Sequence, residues 1–186
     1  MSARAQKNRE LLESAARDLY RHRDYASVTA AEIAARAGVT ERTFFRHFSD
    51  KKEMFFSGSA EMTGSIEAAI HGAADEATEW ELVQIALGSL APLFENRAEL
   101  VRERQDIINA NPELRERELA KRNALSAAIA RALRDRGCAV EIADISGALG
   151  GVVLHAAFTK WASSTSLSLS DALSESAARV SAIASP

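Results

Sequence analysis

Cysteine is almost absent from this chain. Cys138 stands alone among 186 residues, which excludes an internal disulfide and a cysteine-rich metal site. Proline is nearly as scarce, with three residues, and glycine numbers nine, so few positions forbid a long helix. Alternating runs of β-branched residues, a fixed-period repeat and low-complexity tracts are also missing. No stretch approaches the roughly 20 apolar residues that span a bilayer. The opening Met-Ser-Ala-Arg-Ala-Gln-Lys-Asn-Arg-Glu leads into charge rather than an apolar signal region. These absences predict a cytoplasmic protein with no membrane partner.

Catalytic signatures are lacking too. There is no phosphate-cradling glycine loop, no His-x-x-x-His pair and no nucleophile-elbow serine. Cys138 follows Gly137 with no activating motif beside it. The expectation is a non-enzyme that needs no cofactor and no metal. What is present is a hydrophobic fraction of 47%, 26% charged residues, and much Ala, Leu, Glu and Arg. That composition supports a buried core and an all-α fold, as one large or two small domains.

The net charge of −3 conceals an asymmetry. Residues 1–56 carry 11 Lys+Arg against 8 Asp+Glu, whereas the other 130 carry 12 against 18. A basic head on an acidic body points to a polyanionic partner, because phosphate attraction is screened within about 10 Å. The expected division is a head at 1–56 and a helical body at 57–186.

Leu12, Ala15, Ala16 and Leu19 share one face of a helix predicted over Gln6 to Arg23. Thr29 and Glu32 form a capping-box pair that opens a second helix, which Gly38 stops. Thr40 caps a third, Glu41 to His47, and Val39 with Phe44 repeats the staple spacing that Val28 and Ile33 show before it. Asp50, with Glu53 as its partner, predicts a fourth helix from Lys51. Two short helices joined by a glycine-bearing turn are a helix-turn-helix, over about residues 30–49, whose second helix enters a major groove. Its outward residues are Glu41, Arg42, Thr43, Arg46 and His47, and arginine is the commonest reader of guanine. Thr29, Thr40 and Lys51 stand at helix starts, where hydroxyl, ammonium and N–H groups favour phosphate oxygens.

The stretch Thr29-Ala-Ala-Glu-Ile-Ala-Ala-Arg-Ala-Gly-Val-Thr-Glu-Arg-Thr-Phe-Phe-Arg-His-Phe-Ser-Asp-Lys-Lys-Glu resembles the DNA-binding signature of tetracycline-repressor-type (TetR) regulators. The resemblance covers about a quarter of the chain. Many members carry Tyr where this chain has Phe45, which keeps the ring contact to the DNA backbone and loses the hydroxyl. The resemblance implies a three-helix head on a larger helical body that dimerises and binds ligand. It also implies a double-stranded palindromic operator, a homodimer and a small apolar effector that releases the repressor. A helical adaptor without DNA specificity, or an enzyme with an unrecognised site, is the alternative. Duplex binding with a steep salt dependence, which neither alternative predicts, separates them from the regulator.

The body divides at visible punctuation. Met62, Ile66 and Ile70 mark one helix, Trp80 to Leu90 another before Pro92, and Phe94 to about Ile108 a third. Glu113 to Arg136 reads as a long charged helix with i,i+4 pairs such as Glu113–Arg117 and Glu118–Arg122 on a solvated face. A mostly apolar helix spans about 140–161, and a Ser168/Asp171 box opens the last, with Leu173, Ala177, Val180 and Ile183 on one side. Glycines 147, 150 and 151 in an apolar helix cost about 1 kcal/mol each against Ala, so close approach by another backbone is expected there. In the family the last two major helices pair with their twins, which makes Gly147, Gly151, Val152, Ala177 and Val180 the interface candidates. The effector candidates are Met62, Trp80, Phe94, His155, Phe158 and Trp161, with Met54, Phe55 and Phe56 beside them.

Overall fold

The computed structural model describes residues 3–56, 58–95, 97–164 and 166–184, without the side chains of Glu95 and Ala184. Residues 57, 96, 165, 185 and 186 of the expected second domain therefore lie outside the described residues. Among the described residues every regular element is helical. The chain divides into two compact units, Met1–Ser57 with Ile107–Leu114, and Gly58–Asp106 with Arg115–Pro186.

The first unit opens with α1 (Ala3–Tyr20), which buries Leu12, Ala15 and Ala16. It stops before Arg23, whose guanidinium is taken by Glu32 at 2.6 Å and by the carbonyl of Ser27 at 2.6 Å. The next two helices, α2 (Ala30–Arg36) and α3 (Glu41–His47), start at the caps the sequence shows. Thr29 and Glu32 make a reciprocal capping box, and Thr40 accepts from the N–H of Thr43. Gly38 turns the chain between them at φ +70°, a conformation costly for any residue with a Cβ. Leu12, Val28, Ile33, Ala34, Phe44 and Phe48 close the core.

The fourth helix expected from Lys51 does not form. Asp50 does cap, accepting from the N–H of Glu53 at 2.8 Å, but the element that follows is a short 3-10 turn, Glu53–Phe55. The consecutive residues Met54, Phe55 and Phe56 are all buried, and three neighbours in sequence cannot share one face of an α-helix. Met54 joins the head core, while Phe55 and Phe56 pack with Tyr25, Ile108 and Leu114. All three belong to the first unit.

The second unit contains α4 (Ser59–His71), α5 (Glu79–Gly88), α6 (Ala91–Glu95), α9 (Val140–Ala162), α10 (Leu169–Ala184), and most of α7 (Ala98–Ala110) and α8 (Pro112–Asp135). Pro92 and Pro112 lie in the first turns of α6 and α8, where a missing N–H costs nothing. The stretch 94–108 is accordingly two helices rather than the single one expected. Helix α9 is long and apolar enough to span a bilayer by length and composition, contrary to the sequence expectation. Here it serves as a core helix that buries Ala143, Val153, Leu154, Ala157 and Trp161.

The close approach expected at the α9 glycines is made by α8 of the same chain. A Cβ on Gly147 would lie 2.5 Å from the carbonyl oxygen of Ser126 and 2.9 Å from the Cβ of Ala130. One on Gly150 would meet Ile129 at 2.9 Å and Val83 at 3.1 Å, and one on Gly151 would run into the Ser126 hydroxyl. Gly147→Ala should therefore lower stability by about 1–3 kcal/mol through overpacking. Gly64→Ala, where nothing lies within 4 Å on α4, should raise it by about 0.5–1 kcal/mol. Thermal unfolding of both variants checks this, since 1 kcal/mol moves the midpoint of a chain this size by about 2–4 °C. Equal midpoints would mean that the helices can separate at Gly147 without cost.

Candidate nucleic-acid interface

Helix α3 is only seven residues long, and its orientation follows from what it buries. Phe44 and Phe48 are almost fully covered, while Phe45 between them is 51% exposed. Arg42 and Arg46, four residues apart on the outward face, are exposed and enter no salt bridge among the described residues. Arg42, Thr43, Phe45 and Arg46 together border one shallow surface depression. The remaining head arginines are partly spoken for. Arg23 pairs with Glu32, Arg36 with Asp18 at 3.2 Å, and Arg9 with Glu13 at 3.2 Å while covering the Phe48 ring at 5.2 Å.

The other expected contacts are placed differently from one another. Thr29 Oγ1 is engaged in its capping box, and Thr40 Oγ1 lies 3.0 Å from Thr43 Oγ1. His47 is half-buried with its Nε2 shielded and without a hydrogen bond. Burial, then Arg46 and Arg9, hold its pKa below the usual histidine value, so it is neutral at pH 7 and presents no cation to a phosphate. Lys51 does not cap a helix. Its ammonium donates to the carbonyls of Tyr25 at 2.7 Å and Val28 at 3.0 Å, and sits 4.1 Å from the centre of the Tyr25 ring. It ties the segment after α3 to the loop before α2 rather than reaching outward. Residues 25 and 28 are over twenty positions away in sequence, so no local signal announces this tie.

In the body, Phe94 and Phe158 meet edge to face at 5.0 Å, and Trp161 joins Phe158 at 5.6 Å. Met62 is buried elsewhere in the same core, and Trp80 donates its Nε1–H to Ser181 at 2.9 Å. His155 is exposed on α9. Of the interface candidates, Gly147 and Ala177 are buried inside the unit, Val180 packs against its core, and Gly151 abuts Ser126. Val152, 58% exposed, remains open. The predicted pairs within α8 are replaced by longer-range ones, Glu113 with Lys52 at 2.6 Å and Glu118 with Arg104 at 2.7 Å. A charged side chain takes the best-placed partner, wherever the fold brings it. No group of three His, Cys, Asp or Glu able to hold a metal occurs among the described residues.

The Thr29 box gives the head an acid-sensitive joint. A hydrogen bond from Arg23, then those from the backbone and hydroxyl of Thr29, bring the Glu32 carboxyl down to about 2 from an ordinary 4.5. A depressed carboxylate contributes stability above its unfolded pKa and loses it as pH falls through the folded one. Head stability should fall between about pH 4.5 and pH 2, and Glu32→Gln should flatten that limb while weakening the head at pH 7. Acid unfolding followed by circular dichroism checks both, and an unchanged acid limb would remove Glu32 from the account.

Residues 12–57 match the sequence model of the bacterial regulatory proteins of the tetR family. No curated protein matches the chain in sequence. Among solved structures, SmeT, the repressor of the Stenotrophomonas maltophilia multidrug efflux pump SmeDEF, is similar with a TM-score of 0.61 at 18% identity, over 92% of this chain and 89% of that one. A SmeT–triclosan complex gives 0.63 at 19% identity, over 92% and 90%. FadR of Thermus thermophilus, a TetR-family repressor in complex with lauroyl-CoA, gives 0.56 at 24% identity, over 90% of each chain. At such identities the structures establish the fold, and the match at 12–57 establishes the head. The head thus matches the helix-turn-helix DNA-binding region of the tetR-family model over residues 12–57, and the chain as a whole has the fold of these solved structures.

Proposed function

We propose that the protein is a dimeric repressor that binds a palindromic operator in the cytoplasm and is released by a small effector held in the body. The observation that carries the reading is the outward face of α3. Arg42 and Arg46 stand exposed on either side of Phe45, without ion-pair partners among the described residues, held there by the buried Phe44. Bare guanidiniums on a helix supported by its own core suit bidentate contacts to guanine and to phosphate. The neighbouring ring of Phe45 supplies apolar contact to a sugar or a thymine methyl.

One short recognition helix reads few bases, and two related by a dyad read adjacent major grooves. Support for a dimer comes from the face of α9 that the chain leaves uncovered: Ile142, Ile145 and Val152 are 47%, 56% and 58% exposed, and Ile183 on α10 is 85% exposed. An apolar stripe of this kind on a helix that is otherwise core marks a protein contact. Support for an effector comes from the aromatic group Phe94, Phe158 and Trp161, and from the triclosan and lauroyl-CoA that two structural relatives hold. Release is a population shift. An effector that prefers a non-binding arrangement by about 1–3 kcal/mol lowers operator affinity some 5–150-fold.

Selecting duplex fragments with the purified full chain, then titrating the winner against salt, tests the reading. A steep negative salt slope is expected, and a flat one rejects DNA binding. Arg42→Ala should cost about 1–3 kcal/mol and relax preference at one base pair per half-site. Lys51→Met should lower the thermal midpoint of the head and leave the salt slope unchanged, because its ammonium is spent on carbonyls. Val152→Glu should convert the dimer to monomer in sedimentation and weaken operator binding with it. A dimer that survives this change would move the interface off α9.

A further inference from the structure

Most acidic side chains of the head are already engaged. Glu10 accepts from Gln6 at 3.0 Å, Glu13 pairs with Arg9, Asp18 with Arg36 and Glu32 with Arg23, while Asp50 caps the N–H of Glu53. Glu41, the first residue of α3, is exposed, and its side chain enters no hydrogen bond or ion pair among the described residues. The sequence denies it a helical partner. Residues three and four positions away are Phe44 and Phe45 on one side and Gly38 and Ala37 on the other. Arg42, next in the chain, is turned about 100° away and does not face it.

This carboxylate stands on the helix proposed to meet a polyanion. Glu41 and Phe45, four positions apart, share one edge of the face that carries Arg42 and Arg46. The leading residues of a recognition helix reach base edges in the major groove. An uncompensated negative charge there is repelled by phosphates whatever the sequence, so it weakens binding to all duplexes alike. A base that offers a donor offsets the repulsion at one sequence only, which turns a cost in affinity into discrimination. The charge also suits the positive end of the helix dipole, a role indifferent to DNA sequence.

We infer that Glu41 fixes one position of each operator half-site as cytosine, by accepting a hydrogen bond from the cytosine N4 amino group. This rests on the proposal that α3 enters the major groove. A carboxylate accepts and cannot donate. Cytosine offers it a donor, whereas guanine offers O6 and N7, and thymine offers O4 and a methyl group. Adenine carries its amino group beside N7, an acceptor that repels the second carboxylate oxygen. Glu41 and Arg42 therefore act on DNA with opposite sign. The arginine adds affinity on any duplex, and the carboxylate subtracts it everywhere except at a matched site.

The full chain, Glu41→Ala and Glu41→Gln are each used to select from randomised duplexes, and affinities for the unsubstituted protein's best site and for a site-free duplex are then measured at one salt concentration. The unsubstituted chain should demand cytosine at a position where Glu41→Ala accepts any base. Replacing that base pair should weaken the unsubstituted chain about 5–150-fold, the range of one mismatched pair, and Glu41→Ala very little. Affinity for the site-free duplex should rise about 2–5-fold in Glu41→Ala, the reverse of the loss expected for Arg42→Ala. Glu41→Gln, whose amide pairs with both N6 and N7, should turn the position toward adenine, and it serves in place of Glu41→Ala if that variant folds poorly. Identical base preferences before and after substitution, or an equal change in affinity for every sequence, overturn the contact and leave Glu41 as a helix-dipole charge on a helix that still reads DNA. A lost position that was not cytosine overturns the cytosine assignment. Failure of the unsubstituted chain to select any duplex overturns DNA binding and this contact together.

Discussion

Everything the head can do depends on the burial of Phe44. A seven-residue helix has too few internal hydrogen bonds to persist alone, so α3 exists because its inner face completes a core with Leu12, Val28, Ile33 and Phe48. Once Phe44 points inward, helical geometry leaves Arg42, Phe45 and Arg46 no direction but outward. The reading surface is thus the reverse side of a packing decision. The capping hydroxyls of Thr29 and Thr40 and the Lys51 tie to Tyr25 and Val28 add precision to it. They hold the loop and turn on either side of a small domain that has little apolar area to spare.

In the body the corresponding constraint is the contact between α8 and α9. Three glycines in one helix are tolerated because side chains at those points would meet Ser126, Ile129 and Ala130. With one side of α9 occupied by α8 in this way, its Ile142, Ile145 and Val152 are left facing outward. The glycines and the exposed stripe therefore do separate work. The first builds the monomer, and the second is the surface we assign to the partner subunit.

Charge behaves differently in the two units. The head keeps Arg42 and Arg46, which enter no ion pair among the described residues, where a polyanion can reach them. The body instead pairs its partly buried charges across helices, as Arg104 does with Glu118. Helices α7 and α8 have residues in both units.

Local chemistry determined much of this protein. The all-helical class, the Thr29 and Thr40 caps, the turn at Gly38 and the outward set Arg42, Phe45 and Arg46 are all readable from neighbours within four residues, because capping and helical periodicity act over that distance. The same rules misplace a helix at Lys51, where the burial of Met54, Phe55 and Phe56 in two different cores overrides a good cap. Lys51 as a strut, Glu118 as the partner of Arg104, and the α9 glycines as seats for α8 join residues from 14 to more than 20 positions apart. Such pairings were decided only by the tertiary fold, since which charge is desolvated and which backbone comes close depends on what else is packed beside it.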